Sequence, residues 1–337
     1  MSQYDVYGLG NALVDMEYQV TPEELQEMGI DKGVMTLMDV DQQSELMVWL
    51  SDHHVHRSAG GSAANSVIAL SQLGGRGYYT CKVADDELGH LYTKDLKENG
   101  VDTNAHDGRE EGHTGRCMVF VTPDADRTMA TFLGITGGLG ENELNPTALR
   151  DSKYLYMEGY LATSDTAREA AVRARGIAEE AGVKTSLSLS DPNIVTHFKD
   201  QLLDIIGPGL DLVFANEDEA QGITGTGSLD DAVAYMKSIG KEFVITRGPN
   251  PSLVWDGKEL IEIPAQNLTP LDTVGAGDMF AGSFLYGITQ GWSHRAAGEL
   301  AAATAAKLIV TYGPRLPAAE TRGVLAKVAQ RAPEAAK

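Results

Sequence analysis

Residues 271–286 read LDTVGAGDMFAGSFLY, and four of them could do chemistry together. Gly275, Ala276 and Gly277 stand immediately before a carboxylate, Asp278. Phe280, Phe284 and Ile288 then recur every fourth residue, the period of one helix face. The glycines permit a tight turn and a close approach to the backbone. The first turn of a helix offers unpaired N–H groups at the positive end of its dipole. A phosphate or a developing anion could therefore rest on the amides of Ala276, Gly277 and Asp278. A carboxylate at that place repels bound phosphate, which makes sense if Asp278 takes a proton from a hydroxyl attacking phosphorus. An ordinary glycine turn with Asp278 as a helix-start residue accounts for the spacing equally well.

The rest of the chain must position these groups. Its 337 residues, 42% hydrophobic and 22% charged, suit one large α/β domain or one with a small insertion. A net charge of −21 argues against non-specific binding to nucleic acid or anionic membrane, and makes binding of a polyanion such as ATP depend on a locally positive site. Cys81 and Cys117 give no disulfide framework, and MSQYDVYGLG has no basic segment leading into an apolar run. The expectation is a cytoplasmic protein without a signal peptide. The apolar stretches near 273–292 and 296–312 carry Asp278, Gln290, Glu299 and Lys307, and read as buried helices rather than membrane spans.

In chain order, Tyr4–Gly10 reads as a buried strand ending in glycine. GLGNAL has Leu13 where a dinucleotide loop needs its third glycine, and Val14–Val20 is again strand-like, so an oxidoreductase is disfavoured. Met16–Met38 reads as short strands broken at Thr21-Pro22 and Gly29–Gly33, and Asp41–His56 as an amphipathic helix. His53, His54 and His56 fit the solvated end of that helix better than a metal site. Ser58–Ser66 supplies a glycine pair and a serine able to cap, before a helix closed by Gly74-Gly75. Gly77–Val83 reads as a strand, and Asp85–Gly89 as the start of a helix. Arg116–Thr122 and Arg127–Leu133 form a hairpin, which with the 16–38 strands makes a small sheet.

From Lys153 the pattern is regular β/α. Strands fall at 153–158, 184–189, 211–215, 242–246 and 252–256, and helices near 163–181, 196–206, 217–222 and 229–239. That alternation predicts a mainly parallel sheet with ligands at the carboxyl ends of its strands. Tyr160, Ser190-Asp191, Asn216 to Glu219 and Thr246-Arg247-Gly248 stand at such ends. Trp292–Tyr312 and Leu316–Ala332 read as the last helices.

DTVGAGDMF resembles the C-terminal signature of the ribokinase-like (PfkB) family of sugar and nucleoside kinases, and Gly60-Gly61 with Asn65 resembles its first signature. The resemblance implies a three-layer α/β/α sandwich with a mainly parallel sheet. It implies one unit over 1–337, with a small β-sheet lid from about 14–38 and 112–134. It implies an ATP-dependent phosphotransferase in which Asp278 accepts the proton of a primary hydroxyl and Gly275, Ala276 and Gly277 stabilise the transferring group. Arg127 looks like the lid arginine of the family, which reaches the phosphate. Asn11, Asp15, Gly60, Gly61 and Asn65 match residues that hold acceptor hydroxyls. Asn216, Thr246, Arg247, Gly248, Asp272, Thr273 and Gly277 fall to ATP, and Glu219 with Asn216 to Mg²⁺ through water. A monovalent cation near Asp272 and the 269–273 loop is left open.

Within the family, GNALVD, AGGSAANS, YMEGYLAT, LSLSDPNI and FANEDEA, in this order, are most similar to adenosine kinases. A nucleoside acceptor, adenosine first, follows from that likeness, with Tyr160 able to stack on a purine. The chain departs at Asn193, where adenosine kinases often place an aromatic residue against the base. A sugar kinase for ribose or fructose is the alternative, and a catalytically inactive nucleotide-binding protein the alternative from another class. The expected partners are the small-molecule acceptor and ATP, with no nucleic acid and no membrane, on a monomer or homodimer.

Overall fold

The computed structural model describes residues 3–33, 35–105, 110–123 and 127–331. In chain order its strands are β1 (Tyr4–Leu9), β2 (Leu13–Gln19), β3 (Met35–Leu37), β4 (Val55–Gly60), β5 (Gly77–Thr80), β6 (Val101–Asp102) and β7 (Gly115–Val121). Then come β8 (Arg127–Phe132), β9 (Ser152–Glu158), β10 (Lys184–Ser188), β11 (Leu210–Asn216), β12 (Gly240–Arg247), β13 (Asn250–Trp255) and β14 (Leu260–Ile263). Nine of them form a large sheet in the order β14-β13-β12-β11-β10-β9-β1-β5-β6, parallel from β12 to β6 with an antiparallel edge. The other five form a second sheet in the order β3-β8-β7-β2-β4.

Side chains along the central strands alternate between two cores. Tyr154, Tyr156, Leu212, Phe214 and Val244 pack on one face, and Leu155, Met157, Val213, Ala215 and Phe243 on the other. Strands buried on both faces need helices on both, so the large sheet is the middle of three layers. Helices Asp165–Ala181, Lys199–Ile206, Glu217–Thr224 and Leu229–Ile239 cover one side; Ser62–Gln72, Ala276–Thr289 and His294–Leu308 cover the other. The Ala276–Thr289 helix is fixed by Phe284, whose ring meets Phe214 edge-on at 5.8 Å, a contact worth about 0.5–1.5 kcal/mol beyond its buried area. Gly282 lets the same helix touch the Ser66 backbone, where any Cβ would overlap the carbonyl.

The hairpin β7–β8 and the first strand agree with the sequence reading. Three expectations fail. Met16–Met38 contains a helix, Pro22–Glu27, because Thr21 and Glu24 form a capping box around a proline in the first turn. The Asp41–His56 helix is really Val40–Trp49, and Val55–Gly60 instead pairs antiparallel with β2, so His56 lies in a strand. Strand β14 was not expected at all; it adds an antiparallel edge beyond β13.

Candidate active site

Sheet order locates the crevice. From β1 the chain builds outward to β5 and β6 on one side, and β9 to β12 extend on the other. Strand order therefore reverses between β1 and β9, the place where an open parallel sheet leaves room for a ligand at its carboxyl ends. Asn11 follows β1, and Glu158 ends β9. A cavity of about 480 Å³ opens there.

Asp278 lies on its floor. Gly275 is the N-cap of the Ala276–Thr289 helix with φ 76, and a Cβ on it would meet the Pro314 backbone, so only glycine makes this turn without strain. The Ala276 amide is taken by the Thr273 carbonyl at 3.2 Å. The expected three-amide cradle thus narrows to the N–H groups of Gly277 and Asp278. A serine within Ser58–Ser66 was expected to cap the helix that follows. Instead Gly61, with φ 98, is the N-cap, and the Ser62 hydroxyl donates to Asp278 Oδ1 at 2.6 Å. Asn65 Nδ2 donates to Oδ2 at 3.1 Å. Burial pushes the Asp278 carboxyl up to about 6, against the two hydrogen bonds that pull it down. The Asn65 carbonyl oxygen is buried without a hydrogen-bond partner.

Asn11, Asp15, Gly61, Asn65, Tyr160, Asn216, Glu219, Thr246, Gly275, Gly277 and Asp278 all line this cavity. Gly60 sits behind Asp15, where a Cβ would overlap the carboxylate. Arg247 and Gly248 are not on the wall: the Arg247 guanidinium turns to Glu217 at 3.0 Å. The Asp272 N–H donates to the Ile309 carbonyl at 3.1 Å, at the end of the His294–Leu308 helix. The Asp272 carboxylate accepts from Gly313 N–H at 2.8 Å and Val274 N–H at 3.1 Å, and Thr273 beside it is exposed. The Arg127 side chain lies outside the described residues. Asn193 is exposed, and the wall at that point is Ile194.

Asn216 and Glu219 bond to one another as a capping box. Glu219 accepts from the Asn216 amide N–H at 2.9 Å and from its side chain at 2.7 Å. Burial pushes the Glu219 carboxyl up to about 7. Among the described residues no group of three or more His, Cys, Asp or Glu side chains could hold a metal ion. Glu219 at the cavity wall is a carboxylate that could accept from the water of a metal held by phosphate oxygens.

Sequence reasoning missed Glu158 and the inner face of the second sheet, and placed Ser190 at a strand end without giving it a role. Ser190 lines the cavity at φ 72, a backbone conformation rare outside glycine, and its hydroxyl accepts from Gly159 N–H at 2.8 Å. Leu13 and Asp15 share one face of β2 by their period of two, and Leu37, Cys117, Met129 and Thr131 join them as the roof. The strand alternation carried that signal, once the partner strands were known.

Compared with known proteins, residues 33–322 match the model of the pfkB family of carbohydrate kinases. The chain belongs to this family. It is an ATP-dependent kinase, and kinases of the family use ATP with a divalent metal ion. The solved adenosine kinase from Sinorhizobium meliloti is 34% identical, with a TM-score of 0.87 over 97% of this chain and 99% of that one. A probable sugar kinase from Rhizobium etli CFN 42 is 33% identical, also at 0.87, over 99% of both chains. Probable fructokinase-5 of Arabidopsis thaliana is 28% identical over 239 residues, 68% of this chain and 73% of that protein. No described helix of this pfkB kinase is long and apolar enough to cross a membrane.

Proposed function

We propose that this kinase moves the γ-phosphate of ATP to the primary hydroxyl of a nucleoside, adenosine first. One observation carries the reading: the cavity has a polar floor and an apolar roof. Asn11, Asn65 and Asp278 are grouped below, and Leu13, Leu37, Cys117, Met129 and Leu133 above, with Asp15 and Thr131 as the polar groups of that upper face. A ribose satisfies the polar half, and a flat base covers the apolar half. The unpaired Asn65 oxygen suits a hydroxyl donor, because a buried acceptor left unsatisfied costs about 1–3 kcal/mol. Tyr160 and Ile194 at the wall supply the apolar contact that Asn193 does not.

In this reading Asp278 takes the hydroxyl proton as the oxygen attacks phosphorus, and Ser62 and Asn65 hold the carboxylate in line. The Gly277 and Asp278 amides meet charge on the transferring group. Thr246, Asn216 and Glu219 face the polyphosphate, whose charge a bound divalent ion would neutralise. Arg127 reaches the phosphates from the lid, and Arg247 is available to them once its side chain leaves Glu217. The second sheet, with 1–337 as one unit, acts as a lid that excludes water during transfer.

A sugar acceptor is the second reading, favoured by the likeness to the sugar kinase and the fructokinase. Titration calorimetry separates them. Adenosine is expected to bind at least about tenfold more tightly than ribose or fructose, because the roof adds apolar burial of roughly 25 cal/mol per Å²; tighter binding of fructose would favour the second reading. Activity also depends on the protonation state of Asp278. A base must be unprotonated, so kcat/KM for the acceptor should rise about tenfold per pH unit below pH 6 and level off above it. A flat profile from pH 4.5 to 8, in protein that stays folded, would contradict the role.

A further inference from the structure

Glu158 takes no part in the steps above, yet its side chain is almost completely enclosed, at 1% exposure. Its Oε1 accepts from the Asn11 backbone N–H at 2.8 Å and from the Asn11 side-chain amide at 3.1 Å. Its Oε2 accepts from the Ala63 N–H at 2.8 Å. These donors stand where the chain passes between the two sheets. The 10–12 link joins β1 of the large sheet to β2 of the second sheet. Gly61 joins β4 of the second sheet to the Ser62–Gln72 helix that packs on the large sheet. The first turn of that helix carries Ser62 and Asn65, the two residues that hold Asp278. A fixed carboxylate with donors from both links is a pin through two crossings.

We propose that Glu158 is a positioning residue of the hinge, fixing Asn11 and the Ser62–Asn65 turn at one spacing from Asp278. Hydrogen bonds from main-chain amides are suited to this, because they tie backbone rather than flexible side chains, and they oppose the burial that pushes the Glu158 carboxyl up to about 7. Gly10 leaves the space it occupies: a Cβ there would stand 2.5 Å from Glu158 Oε2. The inference rests on the reading of Asp278 as proton acceptor. The two are separable, since near-normal turnover in Asp278→Asn would sink that reading whatever Glu158 does.

The test is steady-state kinetics of Glu158→Gln, which keeps the size but sets an NH2 against one of the N–H donors, with acceptor and ATP varied in turn. The expected result is a rise of about 10- to 100-fold in acceptor KM, with ATP KM within about threefold. A merely structural role would lower folded yield or weaken both substrates alike. Equal loss for acceptor and ATP in a folded variant, or an acceptor KM within threefold of wild type, would overturn the proposal. If the variant does not fold, hydrogen exchange on the wild-type kinase decides. Slow exchange of the Asn11 and Ala63 amides, unchanged when adenosine is bound, is expected; exchange as fast as in exposed loops would overturn it.

Discussion

Asp278→Asn is expected to lower turnover by about 10²- to 10⁴-fold, the span usual for loss of a general base, while ATP binding is largely kept. The amide can still meet Ser62 and Asn65, which hold the native carboxylate at 2.6 and 3.1 Å, so the turn and the two free amides should keep their places. What is lost is the proton acceptor. Steady-state turnover and ATP titration of the purified variant check both halves. Near-normal turnover would mean that another group takes the proton.

Asp15→Ala is expected to raise acceptor KM by about 10- to 150-fold for each hydroxyl the carboxylate holds, since hydrogen bonds to a charged group contribute roughly 1.5–3 kcal/mol each. ATP affinity should move far less, because Asp15 sits on β2 of the second sheet, while Asn216 and Thr246 end strands of the large sheet. The same residue fixes why Gly60 is glycine: its missing Cβ leaves room for the Asp15 carboxylate. Separate saturation curves for acceptor and ATP make the measurement. Equal loss for both, in a folded variant, would remove Asp15 from the acceptor pocket.

Much of this was legible in the chain because periodicity reports burial. Buried-both-sides runs such as LDLVFAN gave the parallel sheet, and the Phe280–Phe284 spacing gave the helix behind Asp278. The Gly-rich turns were legible because a positive φ or a close approach leaves few alternatives to glycine, as at Gly61 and Gly275. Local signals with two meanings were not. Thr21-Pro22 was read as a break, although Thr21 with Glu24 is a helix-start signature that only the closed hydrogen bonds confirm. Ser62 has the chemistry of a cap, and nothing local shows that its hydroxyl instead reaches a residue 216 positions away. Glu158 ends an unremarkable strand, and its partners lie 147 and 95 positions distant. Arg247 shows the reverse: a cation expected to serve a ligand at a strand end, drawn aside by Glu217.

The identity of the acceptor decides what this kinase does. An ADP-release assay with ATP and Mg²⁺, run with adenosine, inosine, ribose and fructose and with Asp278→Asn as control, tests it most directly. The polar floor beneath an apolar roof predicts ADP release with adenosine well above that with either sugar, and its loss in the variant. Turnover of ribose or fructose with none for the nucleosides would contradict it.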